Sequence, residues 1–364
     1  MVEKIVKEIN TELDLAVIGA GIIGVCAAWY ARQQYPHWQI GLFEQSEVGS
    51  GASFYSASLD LPCGHTPLRY RLAERSRSLY SQLRKEMPAL PIKDLPFFGI
   101  VQEVNAHLVL QQLVDINATL SPGIIPCLLK DHPFLVLPPG NTVISGGNAS
   151  QEVKNEVANL LAENFEITPG SFIIDHTKIL AVKAREAVFD LQTADGKCFH
   201  SKRVIQATGP WMNEILGLGL LTTKKTRVKK IVAFHIYEQP KASDPVFYFF
   251  DDDAFLMPKC EHGYWLFSFR CDHWDVVPEI ATLAIEQADI QKGRGILKKY
   301  FPQLAPGCTT GRVFCDTYSQ DGDPIIEPSA DHYNYIIAGA AAGSGFRLAP
   351  AIAEEALKYF SGSK

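Results

Sequence analysis

The chain has 364 residues, 47% of them hydrophobic and 20% charged, which is the composition of a globular protein long enough for two domains. Its formal net charge is -6 and most basic residues are scattered, which argues against a nucleic-acid partner. One basic cluster is interpreted as a solvated turn. It consists of Lys224, Lys225, Arg227, Lys229 and Lys230.

The apolar run LDLAVIGAGIIGVCAAWY, residues 13–30, contains Asp14 and several glycines, so it does not predict a membrane-spanning helix. Acidic residues precede it where a secretory signal has a basic head, and a cytoplasmic location is expected. The eight cysteines form no C-x-x-C pair, which is typical of reduced thiols. No metal site is expected, because the polar segment CDHWD at 271–275 has no second group of ligands at zinc-like spacing.

The first predicted elements are a strand, a turn and a helix. Residues 15–18 are typical of a buried parallel strand, and residues 22–34, which begin with Ile22 and Ile23, are typical of a helix. The glycines of a G-x-G-x-x-G pattern are Gly19, Gly21 and Gly24. In this pattern the first glycine permits a tight turn, the second lets a pyrophosphate approach, and the third lets the helix pack closely on the strand. The phosphate charge lies at the helix N-terminus.

A second strand, predicted over 39–43, ends at Glu44, about twenty residues after the last glycine of the pattern. An acidic side chain at this spacing accepts hydrogen bonds from a ribose 2′-OH and repels a 2′-phosphate. The sequence therefore predicts NAD or FAD as the nucleotide, and not NADP.

Three further groups of residues favour a flavin. The first is the segment GSGASFYS at 49–56, which contains Gly51, Ala52 and Ser53. The second is an apolar strand that leads into Ala207, Thr208, Gly209 and Trp211. Two alternating strands, at 178–183 and 187–193, and a turn at Asp195 and Gly196 precede it. The third follows the strand 335–338 and includes Gly343, Ser344, Gly345, Phe346 and Arg347. A turn rich in small residues lets a flat ring approach the backbone, while the helix N-terminus offers it positive charge.

Taken in order, VIGAGIIG with Glu44, GSGAS, QATGPW, DGDPIIEP and GSGFRLAPAI resemble the D-amino-acid oxidase superfamily of FAD enzymes, which includes glycine oxidase and sarcosine oxidase. The resemblance covers nearly the whole chain and adds Gln45 and Ile179 to the expected cofactor-binding residues. It implies non-covalent FAD, since Cys315 is one position out of register with the cysteine that tethers FAD in some members; the matching position is Phe314.

The resemblance also implies an α/β fold with a discontinuous, Rossmann-like FAD-binding domain. Its segments are expected at 1–87, 147–217 and 319–364, with a helix over 148–164. The α+β substrate domain, with an antiparallel sheet over the flavin, is expected at 88–146 and 218–318. Strand patterns there are consistent with a meander: 245–250 and 254–258 flank an aspartate hairpin tip, and 264–270 follows.

The activity implied by the resemblance is hydride transfer from the carbon next to an amine to flavin N5, giving an imine that water hydrolyses. The implied partners are a small amine or amino acid and dioxygen, which yields hydrogen peroxide, or another electron acceptor. Three alternatives stay open: a dehydrogenase that uses a quinone or protein acceptor, an FAD monooxygenase, and a non-catalytic FAD subunit of a complex. The oligomeric state is not predicted.

Three residues are the candidates for substrate contact. Arg347 occupies the position where sarcosine oxidase-like members carry a lysine that binds the substrate carboxylate. Asp316 stands where glycine oxidase carries a carboxylate-binding arginine, and Arg312 is too far along an extended strand to replace it. If Asp316 faces the substrate, it favours a cationic or hydroxyl-bearing group. Arg270 is a possible relocated positive charge, and Phe255, with Met257 nearby, replaces a tyrosine of the family.

Overall fold

The computed structural model describes residues 12–114, 117–152, 156–217, 222 and 224–361. Within these ranges the strands are β1 (Leu15–Ile18), β2 (Ile40–Phe43), β3 (Leu59–Asp60), β4 (Ile92–Gln102), β5 (Thr119–Leu120), β6 (Asn141–Ser145), β7 (Asn148–Glu152), β8 (Ser171–Ile174), β9 (Ile179–Ala184), β10 (Phe189–Thr193), β11 (Cys198–Ser201), β12 (Val204–Gln206), β13 (Thr226–Ile236), β14 (Val246–Phe249), β15 (Ala254–Lys259), β16 (Tyr264–Phe269), β17 (Gly311–Ser319), β18 (Ile325–Pro328) and β19 (Tyr335–Gly339). The α-helices are α1 (Ile22–Gln34), α2 (Ala52–Tyr55), α3 (Pro67–Glu86), α4 (Ala106–Gln112), α5 (Ile125–Asp131), α6 (Val157–Glu166), α7 (Gln287–Tyr300) and α8 (Gly345–Ser361).

The first sheet has six strands in the order β18-β19-β12-β1-β2-β8. All neighbouring pairs are parallel except β18 with β19. Its central strands are completely buried, as expected for a parallel sheet covered on both faces. Helix α1 packs against α6 and α8, and α3 packs against α8. This sheet with its helices is the Rossmann-like unit that the sequence predicts.

The second large sheet contains the central order β17-β13-β16-β15-β14-β4-β6-β5. Its pairs are antiparallel apart from β14 with β4, so the predicted meander β14-β15-β16 is confirmed and extended at both edges. Asp251 and Asp252 lie in a 3-10 turn between β14 and β15, and Asp253 follows it, as the sequence predicts for a hairpin tip. A third sheet has the order β11-β10-β9. The sequence predicts two of its strands, β9 and β10, and the turn at Gly196 leads into a third strand, β11, which pairs with β10.

Two sequence predictions about local structure are wrong. The expected helix over 148–164 begins as strand β7, which pairs with β3 and β4, and only its second part is helical. Pairing with two neighbours here outweighs the helical pattern. The basic cluster is not a solvated turn, because β13 carries two of its lysines, Lys229 and Lys230, into the interior of the sheet.

Strand pairing crosses one of the expected domain boundaries, and these boundaries stay a prediction. Strand β7 lies in the segment assigned to the FAD-binding domain, yet it pairs with β4 of the segment assigned to the substrate domain. Among the described helices, none has the length and apolar character needed to cross a membrane.

Candidate active site

A cavity of about 1030 Å³ is lined by residues from both large sheets. This is the volume typical of a site for a small molecule or cofactor. Its lining includes every residue predicted to bind the cofactor or the substrate except Gly24. The structure therefore brings together, in one cavity, residues that are spread over more than 300 positions of the chain.

The turn between β1 and α1 lines part of the cavity. Gly19 has φ +97°, and a Cβ placed on it would lie 2.6 Å from the carbonyl oxygen of Ala207. A Cβ on Gly24 would lie 1.8 Å from the carbonyl oxygen of Gly19, which explains why Gly24 supports the turn without lining the cavity. Ser53 accepts a hydrogen bond from the Ile22 amide at 2.9 Å. The turn is therefore shaped to hold a pyrophosphate against the N-terminus of α1.

Glu44 follows β2 and lines the cavity beside this turn. One carboxylate oxygen accepts a hydrogen bond from the Ala20 amide at 2.8 Å, and the other accepts from the Ser46 amide at 3.0 Å. Burial raises the pKa of Glu44, while these backbone N–H groups favour its ionised form. The carboxylate is thus fixed next to the glycine turn, where the sequence predicts a ribose acceptor.

The C-terminal turn lies between β19 and α8. Ala340 and Ala342 have φ values of 51° and 52°, and Gly343 has 75°, so three residues of this turn adopt the left-handed region. For residues other than glycine this conformation is strained and persists only where its surroundings hold it. The backbone follows a path that exposes the turn to the cavity.

Arg69 of α3 holds the C-terminal turn in place. Its guanidinium donates to the carbonyl oxygen of Ala341 at 3.2 Å, to the Ser344 hydroxyl at 3.1 Å and to the carbonyl oxygen of Gly322 at 2.7 Å. Asp323 lies 3.9 Å from the same side chain. Arg69 is only 7% exposed and lines the cavity. Arg69 was not predicted from the sequence. The motif DGDPIIEP contains its contact Gly322, but the motif does not show which residue that segment contacts.

The predicted substrate residues enter the cavity from different elements. Asp316 lies on β17, and Arg270 follows β16 with its side chain 60% exposed and its Nε 3.8 Å from Asp272. Phe314 also lines the cavity and packs with Tyr55, whereas Cys315 is buried outside the lining. Phe314 and Cys315 therefore face opposite sides of the strand, as the sequence predicts for neighbouring residues. The register relative to the tethering cysteine of the family and the mode of FAD attachment stay predictions.

Arg347 lies in the first turn of α8 and is already partly engaged. Its Nη1 donates to the Cys63 carbonyl oxygen at 2.8 Å and to the Cys63 sulfur at 3.0 Å, while its Nε is buried and has no hydrogen-bond partner among the residues that the structure describes. Burial raises the pKa of the Cys63 thiol, and the nearby guanidinium opposes that effect. A carboxylate held in a bidentate pair would contact the Nε–Nη2 edge of Arg347, since Nη1 is engaged with Cys63. The predicted role of Arg347 stays a prediction.

Several cavity residues were not found from the sequence. Tyr248 packs parallel to Phe255 at 6.3 Å between ring centroids and donates its hydroxyl to Asp253 at 2.8 Å. A tyrosine on β14 thus lies beside the position where the family's tyrosine is missing. Lys229 lines the cavity from β13, next to Trp274. The only sequence signal for this lysine was the basic cluster, which was assigned to the surface.

Asp316 is a cavity-lining carboxyl group whose pKa is shifted. Burial raises the pKa of its carboxyl to about 7, although a backbone hydrogen bond from Gly343 and the charge of Lys229 favour the ionised form. The aspartate therefore contacts the C-terminal turn on one side and the cavity on the other. Its charge changes near neutral pH.

Asp316→Asn is expected to remove a pH dependence from ligand binding. Ionised Asp316 repels an anion, so the wild-type dissociation constant for an anionic ligand should rise about five-fold from pH 6 to pH 8, and the variant's should stay level. Because the folded protein also binds this proton more tightly than the unfolded chain, the wild type should lose stability relative to the variant between about pH 4 and pH 7. Ligand titrations and thermal unfolding at matched pH values measure both effects. An unchanged slope in the variant would assign the titration to another group.

A separate acidic and histidine-containing cluster lies on the three-stranded sheet. Asp190, Cys198 and His200 are the sole group among the described residues whose ligand atoms lie close enough to hold a metal ion. Asp190 already accepts hydrogen bonds from Arg185 and His200. The segment 271–275 is committed elsewhere, with Asp272 paired to Lys292 and Asp275 to Arg227. All eight cysteines are free thiols.

A glycine turn at a helix N-terminus and an acid after the second strand are the features of a dinucleotide-binding protein, and the cavity they line continues under a second sheet. The chain belongs to the DAO family of FAD-dependent oxidoreductases, whose family model matches residues 14–358. The resemblance drawn from the sequence motifs is therefore confirmed.

Known relatives and structures agree with this membership. The chain is 25% identical over 328 residues to an alpha-glycerophosphate oxidase of Streptococcus pneumoniae, and the matched region covers 80% of this chain and 51% of the relative. It is 20% identical over 364 residues to a monomeric sarcosine oxidase of Bacillus sp. strain B-0618, covering 95% of this chain and 91% of the relative. The chain thus spans about half the length of the glycerophosphate oxidase. Its fold matches a glycine oxidase of Bacillus cereus with a TM-score of 0.78 at 16% identity, over 96% of this chain and 98% of that one.

Proposed function

We propose that this protein oxidises the C–N bond of a small amine or amino acid, with bound FAD as the first electron acceptor and dioxygen as the second. The observation that carries the proposal is one cavity whose lining includes the glycine turn and Glu44 together with Asp316, Arg270 and Arg347. The glycine turn would hold the pyrophosphate of a bound FAD, and the turn between β19 and α8 would face its isoalloxazine ring.

The residues present fit FAD. Close backbone approach at Gly19 and Gly24 leaves no room for side chains, as a pyrophosphate cradle requires, and Glu44 provides a ribose acceptor. The C-terminal turn between β19 and α8 offers backbone and a helix N-terminus to a flavin ring. When bound, FAD supplies the hydride acceptor for the reaction.

The chain's own residues would bind and orient the substrate. A C–H bond next to the amine must point at the flavin, so positioning is the main task of the protein. Arg347 and Arg270 supply positive charge for an anionic group, and the rings of Tyr248 and Phe255 provide an apolar wall. Asp316 holds or releases a proton near neutral pH at its carboxylate. The products are an imine, which water converts to a carbonyl compound and a free amine or ammonia, and hydrogen peroxide.

The relatives favour a second candidate of the same redox class. Since one of them is an alpha-glycerophosphate oxidase, oxidation of a C–O bond in a small phosphorylated alcohol is the alternative to amine oxidation. Both reactions remove a hydride from carbon and need the same cradle. They differ in the substrate that the cavity must bind: an amine or amino acid in one reaction and a phosphorylated alcohol in the other.

Aerobic turnover with product analysis tests the proposal. The FAD-loaded protein is incubated with D-, L- and N-alkyl amino acids, simple amines and glycerol phosphate, and peroxide, carbonyl product and released amine are measured. We expect one equivalent each of peroxide, carbonyl and amine from one amine class. Carbonyl product with a dye acceptor but no peroxide would indicate a dehydrogenase. Turnover of glycerol phosphate alone would replace amine oxidation with alcohol oxidation.

A further inference from the structure

Lys229 is a buried cation without a conventional partner. It lies on β13, it is 5% exposed, and it lines the cavity. Among the described residues its ammonium group has no hydrogen bond and no carboxylate within 4.0 Å. Its Nζ lies 4.2 Å from the centre of the Tyr318 ring and 5.0 Å from that of Trp274.

The neighbouring carboxylates are committed to other groups. Asp316 faces Lys229 across the β13–β17 pair, but its carboxylate accepts from the Gly343 amide. Asp253 accepts from the Tyr248 hydroxyl, and Asp272 pairs with Lys292. The aromatic rings offset part of the cost of burying the ammonium through cation–π contact. They leave its three N–H donors without an acceptor.

A buried ammonium of this kind is costly unless an anion pairs with it. Burial lowers the pKa of Lys229, which is the direction expected for an ammonium that lacks a close counter-ion. The neighbouring Lys230 shows the contrast, because its Nζ contacts Asp289 at 2.8 Å and Glu286 at 3.2 Å. Adjacent lysines of one strand thus differ: Lys230 is internally paired on one face, and Lys229 is aimed at the cavity on the other.

Arg347 is less free to receive an anion than Lys229. Nη1 of Arg347 already donates to the carbonyl oxygen and the sulfur of Cys63, whereas the ammonium of Lys229 donates to no acceptor among the described residues. Arg270 is largely exposed and lies near Asp272, so solvent and that carboxylate weaken its attraction for an anion. Of these three cavity cations, Lys229 is the buried one whose N–H donors are all free among the described residues.

We propose that Lys229, held between Trp274 and Tyr318, binds the anionic group of the substrate, so that the substrate carries a carboxylate or a phosphate in addition to the group that is oxidised. That the bound anion belongs to the substrate rests on the proposed function. The anion site itself depends only on the residues that line this cavity. A carboxylate and a phosphate share the chemistry that an ammonium recognises, and the two sources are separated by the choice of probe.

The test compares four forms of the FAD-loaded protein: wild type, Lys229→Met, Lys229→Arg and Lys225→Met. Lys229→Met keeps the length of the side chain and removes the charge, Lys229→Arg keeps the charge, and Lys225→Met removes an exposed lysine just before the same strand. Calorimetric titration uses propionate and inorganic phosphate as probes. FAD content and thermal unfolding show that each variant is folded.

The wild type should bind one probe, which identifies carboxylate or phosphate. Lys229→Met should weaken that binding about 10- to 100-fold, the range expected for loss of a charge-assisted bond. Lys229→Arg should retain most of the affinity, and Lys225→Met should match the wild type. In anaerobic flavin reduction by an active substrate, Lys229→Met should raise the apparent dissociation constant, with little change in the limiting rate.

Two outcomes would overturn the inference. One is a wild type that binds neither probe. The other is anion binding by Lys229→Met at wild-type affinity; slower reoxidation of that variant by dioxygen would then assign Lys229 to the acceptor reaction. If no amine or alcohol reduces the flavin while the variant still loses anion binding, the proposed function fails and the anion site stands.

Discussion

Gly24→Ala is expected to abolish FAD binding. A Cβ at this position would lie 1.8 Å from the carbonyl oxygen of Gly19, inside any possible contact distance, so α1 must move away from the β1 turn. That movement opens the pyrophosphate cradle, which depends on close approach of the helix to the strand. We expect protein purified without its yellow colour and FAD affinity lowered about 100-fold or more, since overpacking at such a site costs up to about 3 kcal/mol and the loss of phosphate contacts adds to that cost.

Gly295→Ala is the matched control for this substitution. Gly295 lies in α7 of the second unit, and a Cβ there meets nothing within 4 Å. The same added methyl group should therefore leave FAD content unchanged and raise helix stability by up to about 1 kcal/mol. Full FAD content in Gly24→Ala would contradict the cradle assigned to the G-x-G-x-x-G turn.

Arg69→Met is expected to destabilise the folded protein and to weaken FAD binding together. Removing the guanidinium leaves the carbonyl oxygens of Gly322 and Ala341 and the hydroxyl of Ser344 without their donor in a buried setting. Breaking a buried charged network of this kind costs about 3–5 kcal/mol. Chemical denaturation with and without excess FAD measures both effects.

Arg84→Ala supplies the comparison for an arginine on the same helix. Arg84 pairs with Asp94 at 2.7 Å, and both side chains are well exposed, so the loss should be under about 1 kcal/mol with no effect on FAD. If Arg69→Met were as mild as Arg84→Ala, the strained conformation of the C-terminal turn would have to be held by groups other than Arg69.

The cofactor end of the cavity was predictable because its signals are local. The glycines at 19, 21 and 24 act through backbone space within one turn, and Glu44 follows directly after its strand. Short-range geometry of this kind is written in the spacing of neighbouring residues. The elements that carry these residues were confirmed within a residue or two.

The substrate end was harder to predict because it is assembled by strand pairing. Lys229 and Asp316 lie on β13 and β17, far apart in sequence, and they become neighbours only through the register of that pair. Arg69 acts across more than 250 positions on Gly322 and Ala341. The strand β7 was predicted as helix for the same reason, since its partners β3 and β4 are not local. Arg69 and Lys229, which act only through such tertiary contacts, belong to no motif of the sequence.

The measurement that tests the central claim most directly is anaerobic bleaching of the bound flavin in a stopped-flow spectrometer. The FAD-loaded protein is mixed with a panel of D-, L- and N-alkyl amino acids, simple amines and glycerol phosphate, in the absence of oxygen. We predict rapid loss of the oxidised flavin absorbance with one class of amine that carries an anionic group. Flavin that stays oxidised with every amine, although dithionite reduces it, would contradict amine oxidation and favour a non-catalytic FAD subunit.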